Sequence, residues 1–269
     1  MRLTPLGNSN MRDVPFRAGG FAPRTVPFVG AATLILLIVL WQAAATLGWM
    51  STRFLPAPAA IIRALWQLLR SGELWLHVSA SAARLAWGWA AGTLAGLLVG
   101  LALGLFTLAR APGMAIVSAL FPVPKIALVP LFIIWFGIGE GSKVITLGFG
   151  VFFPTVINVL AGVDGVPRNL VRMGQSFGLS RLAILWKIVL PGAMPSVLAG
   201  FRITTSTAII LLVAAEMIGA DHGIGAFVLS AGNLYDTDNL LAGIAVLSLL
   251  GLAVAWIIGR LERFLLAWR

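Results

Sequence analysis

Nine acidic residues and two histidines are all that the 269-residue chain has for acid–base or metal chemistry, and they are scattered along it. Cysteine is absent, which removes thiolate nucleophiles, disulfides and sulfur-ligated metals. His77 and His222 are too few for a histidine metal cluster. An enzyme groups nucleophile, base or metal ligands in one place; without such a grouping, no catalytic and no metal residue is assigned, and the chain is not read as an enzyme. It also lacks an ATPase's phosphate-cradling loop, since no Gly-Lys dipeptide occurs anywhere. The glycine-rich stretch Gly137 to Lys143 has the wrong spacing for that loop and reads as a turn. The chain is therefore expected to hold no cofactor of its own.

Lys125, Arg202 and Glu216 lie inside long apolar stretches, where charge is costly and marks function by default. These are the candidates for a translocation path or gate. Lys125 is open to two readings, a path residue or a lysine that snorkels to the headgroups. Arg202 and Glu216 stand fourteen residues apart, about 21 Å along a helix, so they cannot pair with each other. Arg202 is expected to bond backbone carbonyls in preference to solute. Glu216 reads as a structural or gating residue, paired with a cation or kept neutral by burial.

The elements that position these residues follow from composition. Hydrophobic residues make up 59% of the chain, charged residues only 10%, and the mean hydropathy is +0.99. A soluble domain carries about 25% charged residues, so lipid must cover much of this one. A crossing needs about 20 apolar residues. Spans are predicted over Phe28 to Leu47, Ser79 to Phe106, Met114 to Phe136, Val144 to Val163, Ser196 to Gly219 and Leu240 to Ile258. A shorter helix, Ile61 to Leu69, is expected at the membrane interface. The third span is interrupted by Pro122, Pro124 and Pro130. Glycines 88, 92, 96, 100 and 104 form a seam for close helix packing, either static or sliding. The fold class is all-α, about six transmembrane helices.

Residues 1–27 are polar and basic and read as a disordered cytoplasmic tail, with 28–269 as the membrane domain. Six spans put both ends on one side. With the tail inside, twelve Lys and Arg fall on inner segments and five on outer ones, which favours cytoplasmic termini. The same rule absorbs the net charge of +10 without nucleic acid; the contact implied is membrane lipid. Asp221-His222 and Asp236-Thr237-Asp238 lie in the outer loop, either meeting a partner or merely solvated.

Residues 164–192 then face the cytoplasm as a coupling loop. Pro167 suits the first turn of a helix, Gly178 its stop, and Ser180 the cap of a second helix. Leu182, Leu185, Trp186 and Val189 make an apolar stripe on that helix, and Pro191 is expected to end it before the next span. Such a bracket, pushed by another protein, would move the spans attached to it.

This segment resembles the cytoplasmic loop of binding-protein-dependent ABC importer permeases: Glu-Ala-Ala, three residues, Gly, nine residues, Ile, one residue, Leu-Pro. Gly178, Ile188, Leu190 and Pro191 stand at that spacing, while Arg172-Met173-Gly174 replaces Glu-Ala-Ala. The resemblance implies that Arg172, Gly178, Leu179, Ser180, Arg181, Leu182, Ile188, Leu190 and Pro191 form the ATPase-coupling surface of a type I importer bundle with a coupling helix. Gly48 to Pro58, Ser71 to His77 and Trp135 to Lys143 are similar to the nitrate, taurine and aliphatic sulfonate branch, the first two stretches most of all to aliphatic sulfonate permeases. That branch implies a bacterial inner-membrane location, a second permease copy, two ATPases that bind the ATP and magnesium, and an extracytoplasmic solute-binding protein. The expected function is import of a small organic anion, sulfonate first, then taurine, nitrate, aromatic carboxylate or a pyrimidine precursor. The rival from another class, a secondary transporter or channel, would show paired broken helices, whereas one broken segment is evident.

Overall fold

The computed structural model describes residues 28–267. The expectation for residues 1–27 lies outside them. Among the described residues every regular element is helical, as apolar spans require: with no water in the hydrocarbon, backbone N–H and C=O groups must pair within the segment. The chain divides into two compact units, one ending at Pro58 and one beginning at Ala59.

The first unit contributes α1 (Val29–Thr46). It is apolar on all sides, and each residue from Leu34 to Leu40 is more than half exposed, the pattern of a helix that lipid or another chain covers.

The second unit holds α2 (Pro58–Ser71), α3 (Glu73–Leu105), α4 (Thr107–Leu120), α5 (Val129–Phe136), α6 (Glu140–Asp164), α7 (Arg168–Ser176), α8 (Arg181–Ile184), α9 (Leu190–Gly219), α10 (Ile224–Asn233) and α11 (Thr237–Leu265). With α1, five helices among the described residues are long and apolar enough to cross a membrane, and there is a sixth span if the bent pair α4 and α5 counts as one. The glycine seam is the α3–α6 interface. A Cβ on Gly92 would lie 2.8 Å from the Gly148 Cα, so the two backbones approach as only glycine permits. On its other side α6 packs against α9, burying Leu147, Val151, Leu211 and Leu212.

Two proline expectations are corrected. The third block breaks at residues 121–124, where Pro122 and Pro124 lie, and its halves meet at 87° across that break and a 3₁₀ turn at Lys125–Leu128. Pro130, however, sits in the first turn of α5, where the missing N–H has no intrahelical role. Pro191 ends nothing either. The helix begun at Arg181 runs through a π-helical turn at Leu185–Val189 into α9, so one continuous helix from Arg181 to Gly219 contains the predicted fifth span. The widened turn lies where the proline ring would otherwise clash with the carbonyl four residues earlier.

Candidate functional site

The predicted coupling loop folds into a bracket at one end of the second unit. α7 ends at Ser176 in a Schellman motif: the Leu179 N–H donates to the Gly174 carbonyl (3.0 Å) and the Gly178 N–H to that of Gln175 (2.9 Å). This turn requires a left-handed residue, and Gly178 supplies φ 70°. Ser180 then caps α8, accepting from the Ala183 N–H at 3.2 Å. The predicted stop and cap therefore stand. The predicted single apolar stripe does not: Val189 is buried and Leu185 half-buried in a cluster with Val166 and Ala193, whereas Leu182 and Trp186 are exposed.

Gly174 carries the bracket's inner contact. A Cβ there would lie 2.7 Å from Ile188 Cδ1, so the glycine in Arg172-Met173-Gly174 lets Ile188 fold onto α7. Arg172 and Arg181 point outward, and Phe177 and Leu182 are 78% and 65% exposed. Beside the bracket lies a cleft of about 750 Å³ lined by Arg110, Asp164, Arg168 and Arg172 among others. Arg110 and Asp164 form a two-pronged ion pair across it, at 2.7 and 2.5 Å. It ties the start of α4 to the end of α6 in the planar fork geometry that arginine and carboxylate favour.

At the far end of α9, Glu216 lies in a knot that the sequence reading missed. Arg84 is 4% exposed and Glu216 1%. Arg84 Nη1 donates to Glu216 Oε1 at 2.7 Å and to the His222 carbonyl at 2.6 Å, while Nε and Nη2 grip both oxygens of Glu140 at 2.6 Å. Ser81 donates to Glu216 at 2.7 Å, and the Gly225 N–H donates to its other oxygen at 2.8 Å. Both charges are thus paired and hydrogen-bonded, the condition under which buried ions are tolerated. Gly223, at φ 142°, approaches so closely that a Cβ would lie 2.5 Å from the Glu216 carboxylate. His77 completes the corner, its Nδ1 accepting from the Gly223 N–H at 3.1 Å.

The knot joins α3, α6, α9 and the start of α10. Glu216 was expected either to pair with a cation or to be kept neutral by burial; it pairs with Arg84, near the start of the predicted span Ser79 to Phe106. A signal was present. Ser81, Arg84 and Gly88 share one helical face, so the packed glycine seam already pointed to a buried arginine. Asp236 also differs from a merely solvated loop residue, because it caps α11 by accepting from the Asn239 N–H at 3.2 Å.

Arg202 forms an ion pair with a carboxylate where backbone carbonyls were expected: its Nη2 lies 2.6 Å from Glu262 Oε2 on α11. Lys125 is in the 3₁₀ turn that follows the break, its ammonium donating to the Phe121 carbonyl and lying over the Phe121 and Phe153 rings. Arg202, Lys125 and Glu216 are thus held in three separate places.

A stack of apolar spans with charged knots inside and a two-helix bracket at one end defines a multi-pass membrane permease. The chain belongs to the family described as binding-protein-dependent transport system inner membrane component, which matches residues 92–266. It is 39% identical over 232 residues to the putative aliphatic sulfonates transport permease protein SsuC of Escherichia coli (strain K12), covering 86% of this chain and 88% of that protein. It is 39% identical to the taurine transport system permease protein TauC of the same organism over 241 residues, 88% of each. It is also 35% identical to the riboflavin transport system permease protein RibX of Chloroflexus aurantiacus, again over 88% of each. An inward-facing structure of the MetNI methionine ABC transporter shares the fold, with TM-score 0.61 and 22% identity over 74% of this chain and 96% of that one. The protein is accordingly an inner-membrane permease subunit of an ABC importer. It is a transport subunit, not an enzyme, and works with a separate ATPase and a solute-binding protein.

Proposed function

We propose that two copies of this chain form the path for a small organic anion, an aliphatic sulfonate first among the candidates. An extracytoplasmic binding protein delivers the solute, and two ATPases grip residues 164–192, with both termini in the cytoplasm. The observation that carries the coupling reading is the bracket itself. Phe177 and Leu182 stand 78% and 65% exposed beside Arg172 and Arg181, an apolar and cationic surface for another protein to cover. The bracket continues directly into α9, so force applied to it acts on a span and biases the equilibrium between inward and outward states. The sulfonate assignment rests on similarity to permeases named for sulfonates and taurine; the similarity to one named for riboflavin keeps the solute class as the part to test.

Within that path, Arg202 with Glu262 and Glu216 with Arg84 are holding points between helices. Lys125 is the residue left to meet solute.

Purification of the chain from its native membrane, followed by uptake in liposomes, tests the proposal. An ATPase is expected to co-purify, and accumulation should require both ATP and the binding protein. Solute flux through the chain alone would refute it and favour a secondary transporter or channel.

A further inference from the structure

We infer that the Lys125 ammonium is an anion-binding point inside the membrane, taking the sulfonate or carboxylate group of the passing solute. The inference rests on the reading of the chain as an anion importer and adds the group that recognises the charge.

Four observations converge on it. The first is depth. A Cβ at Gly150 would lie 3.9 Å from Lys125 Cγ, and Gly150 is ten residues from the start of α6 and fourteen from its end. At 1.5 Å per residue that is about 15 and 21 Å from the two ends, beyond the reach of a four-carbon stem. Snorkelling, the alternative reading of this residue, is thereby set aside.

The second is charge balance. Among the described residues, three arginines on the spanning helices have carboxylate partners: Arg84 with Glu216 and Glu140, Arg110 with Asp164, and Arg202 with Glu262. Lys143 gives its ammonium to two carbonyls, those of Ile138 and Gly139. Among the described residues, Lys125 has no carboxylate within ion-pair distance and one carbonyl, that of Phe121. Two of its three N–H donors remain to be used.

The third is exposure. Lys125 is only half-buried, and a charged group at this depth faces protein or a water-filled cavity, not lipid. The fourth is backbone. The residue follows an 87° break between helices, and irregular backbone at membrane depth survives where it is buried in protein or lines such a cavity. Broken helices are where transporters place solute sites. The Phe121 and Phe153 rings, 4.9 and 5.8 Å from the ammonium, hold it in place without neutralising it.

The test uses the whole complex of permease, ATPase and binding protein in liposomes. Accumulation is measured for ethanesulfonate, taurine, nitrate and benzoate, with neutral riboflavin alongside, in wild type, Lys125→Gln and Lys125→Arg. For whichever anion the wild type accumulates, Lys125→Gln is expected to lower uptake about tenfold, the scale of one charge-assisted hydrogen bond. Lys125→Arg should stay within about threefold, because it keeps the charge. Equal uptake by wild type and Lys125→Gln overturns the inference and leaves the anion-importer reading standing. A Lys125→Gln complex that fails to assemble in gel filtration, where Lys125→Arg assembles, also overturns it, since the charge would then serve the fold. Accumulation of riboflavin with none of the anions overturns both readings.

Discussion

The Arg84 guanidinium shows how this membrane interior handles charge. It spends its donors on two carboxylates of opposite character, Glu216 fully buried and Glu140 65% exposed. Removing one partner of a buried pair strands the other and costs about 3–5 kcal/mol, whereas an exposed pair is worth roughly 0–1 kcal/mol. Arg84→Met is therefore expected to lower the thermal stability of the detergent-solubilised protein strongly, and Glu140→Gln only slightly. Adding Glu216→Gln to Arg84→Met should recover part of the loss. Glutamine removes the stranded charge yet still accepts from Ser81 and Gly225. Melting followed by gel filtration gives the order, and an Arg84→Met protein as stable as wild type would mean that the knot contributes little.

The bracket is the element where local geometry carries the most consequence. Gly178 has open space around its Cα, with nothing within 4 Å of a built Cβ, so its requirement is conformational: φ 70° in the Schellman turn. A β-branched residue is strained there, while asparagine tolerates the left-handed region. Gly178→Val is thus expected to depress ATP-driven uptake at least severalfold at unchanged membrane abundance, and Gly178→Asn to retain most of it. Equal uptake by both would separate the turn from coupling. Deletion of Ser180 to Leu190 is a poorer probe. It would remove Ile184, Leu185, Ile188 and Val189, which pack the base of α9, and so damage the span together with the bracket.

Across the whole molecule, the arrangement of charge sets the orientation that the proposed function needs. The chain has no cysteine, so single reporters can be placed without background. Ser180 lies in the bracket, and Tyr235 is exposed between α10 and α11. Ser180→Cys is expected to react with a membrane-impermeant maleimide only from the cytoplasmic side, and Tyr235→Cys only from the opposite one. Labelling of both from one side would overturn the six-span topology.

Much of this architecture was legible along the chain. Apolar runs of about 20 residues announce spans because lipid leaves few alternatives. Glycine at every fourth position announces a close helix pair, and α3 against α6 is that pair. Gly178 and Ser180 announced a turn and a cap because those depend on local backbone chemistry alone. The fate of Pro191 was not local, since it depended on whether a π-helical turn could carry α8 into α9. Nor could one-dimensional spacing reveal that Arg84 meets Glu216, 132 positions away. Long-range pairing is decided when helices pack, because an ion in this interior takes whatever countercharge the tertiary structure brings to it. The sequence by itself determined a membrane permease with a two-helix bracket; only the folded bundle decided which charges cancel and that Lys125, among the described residues, is left with a single carbonyl.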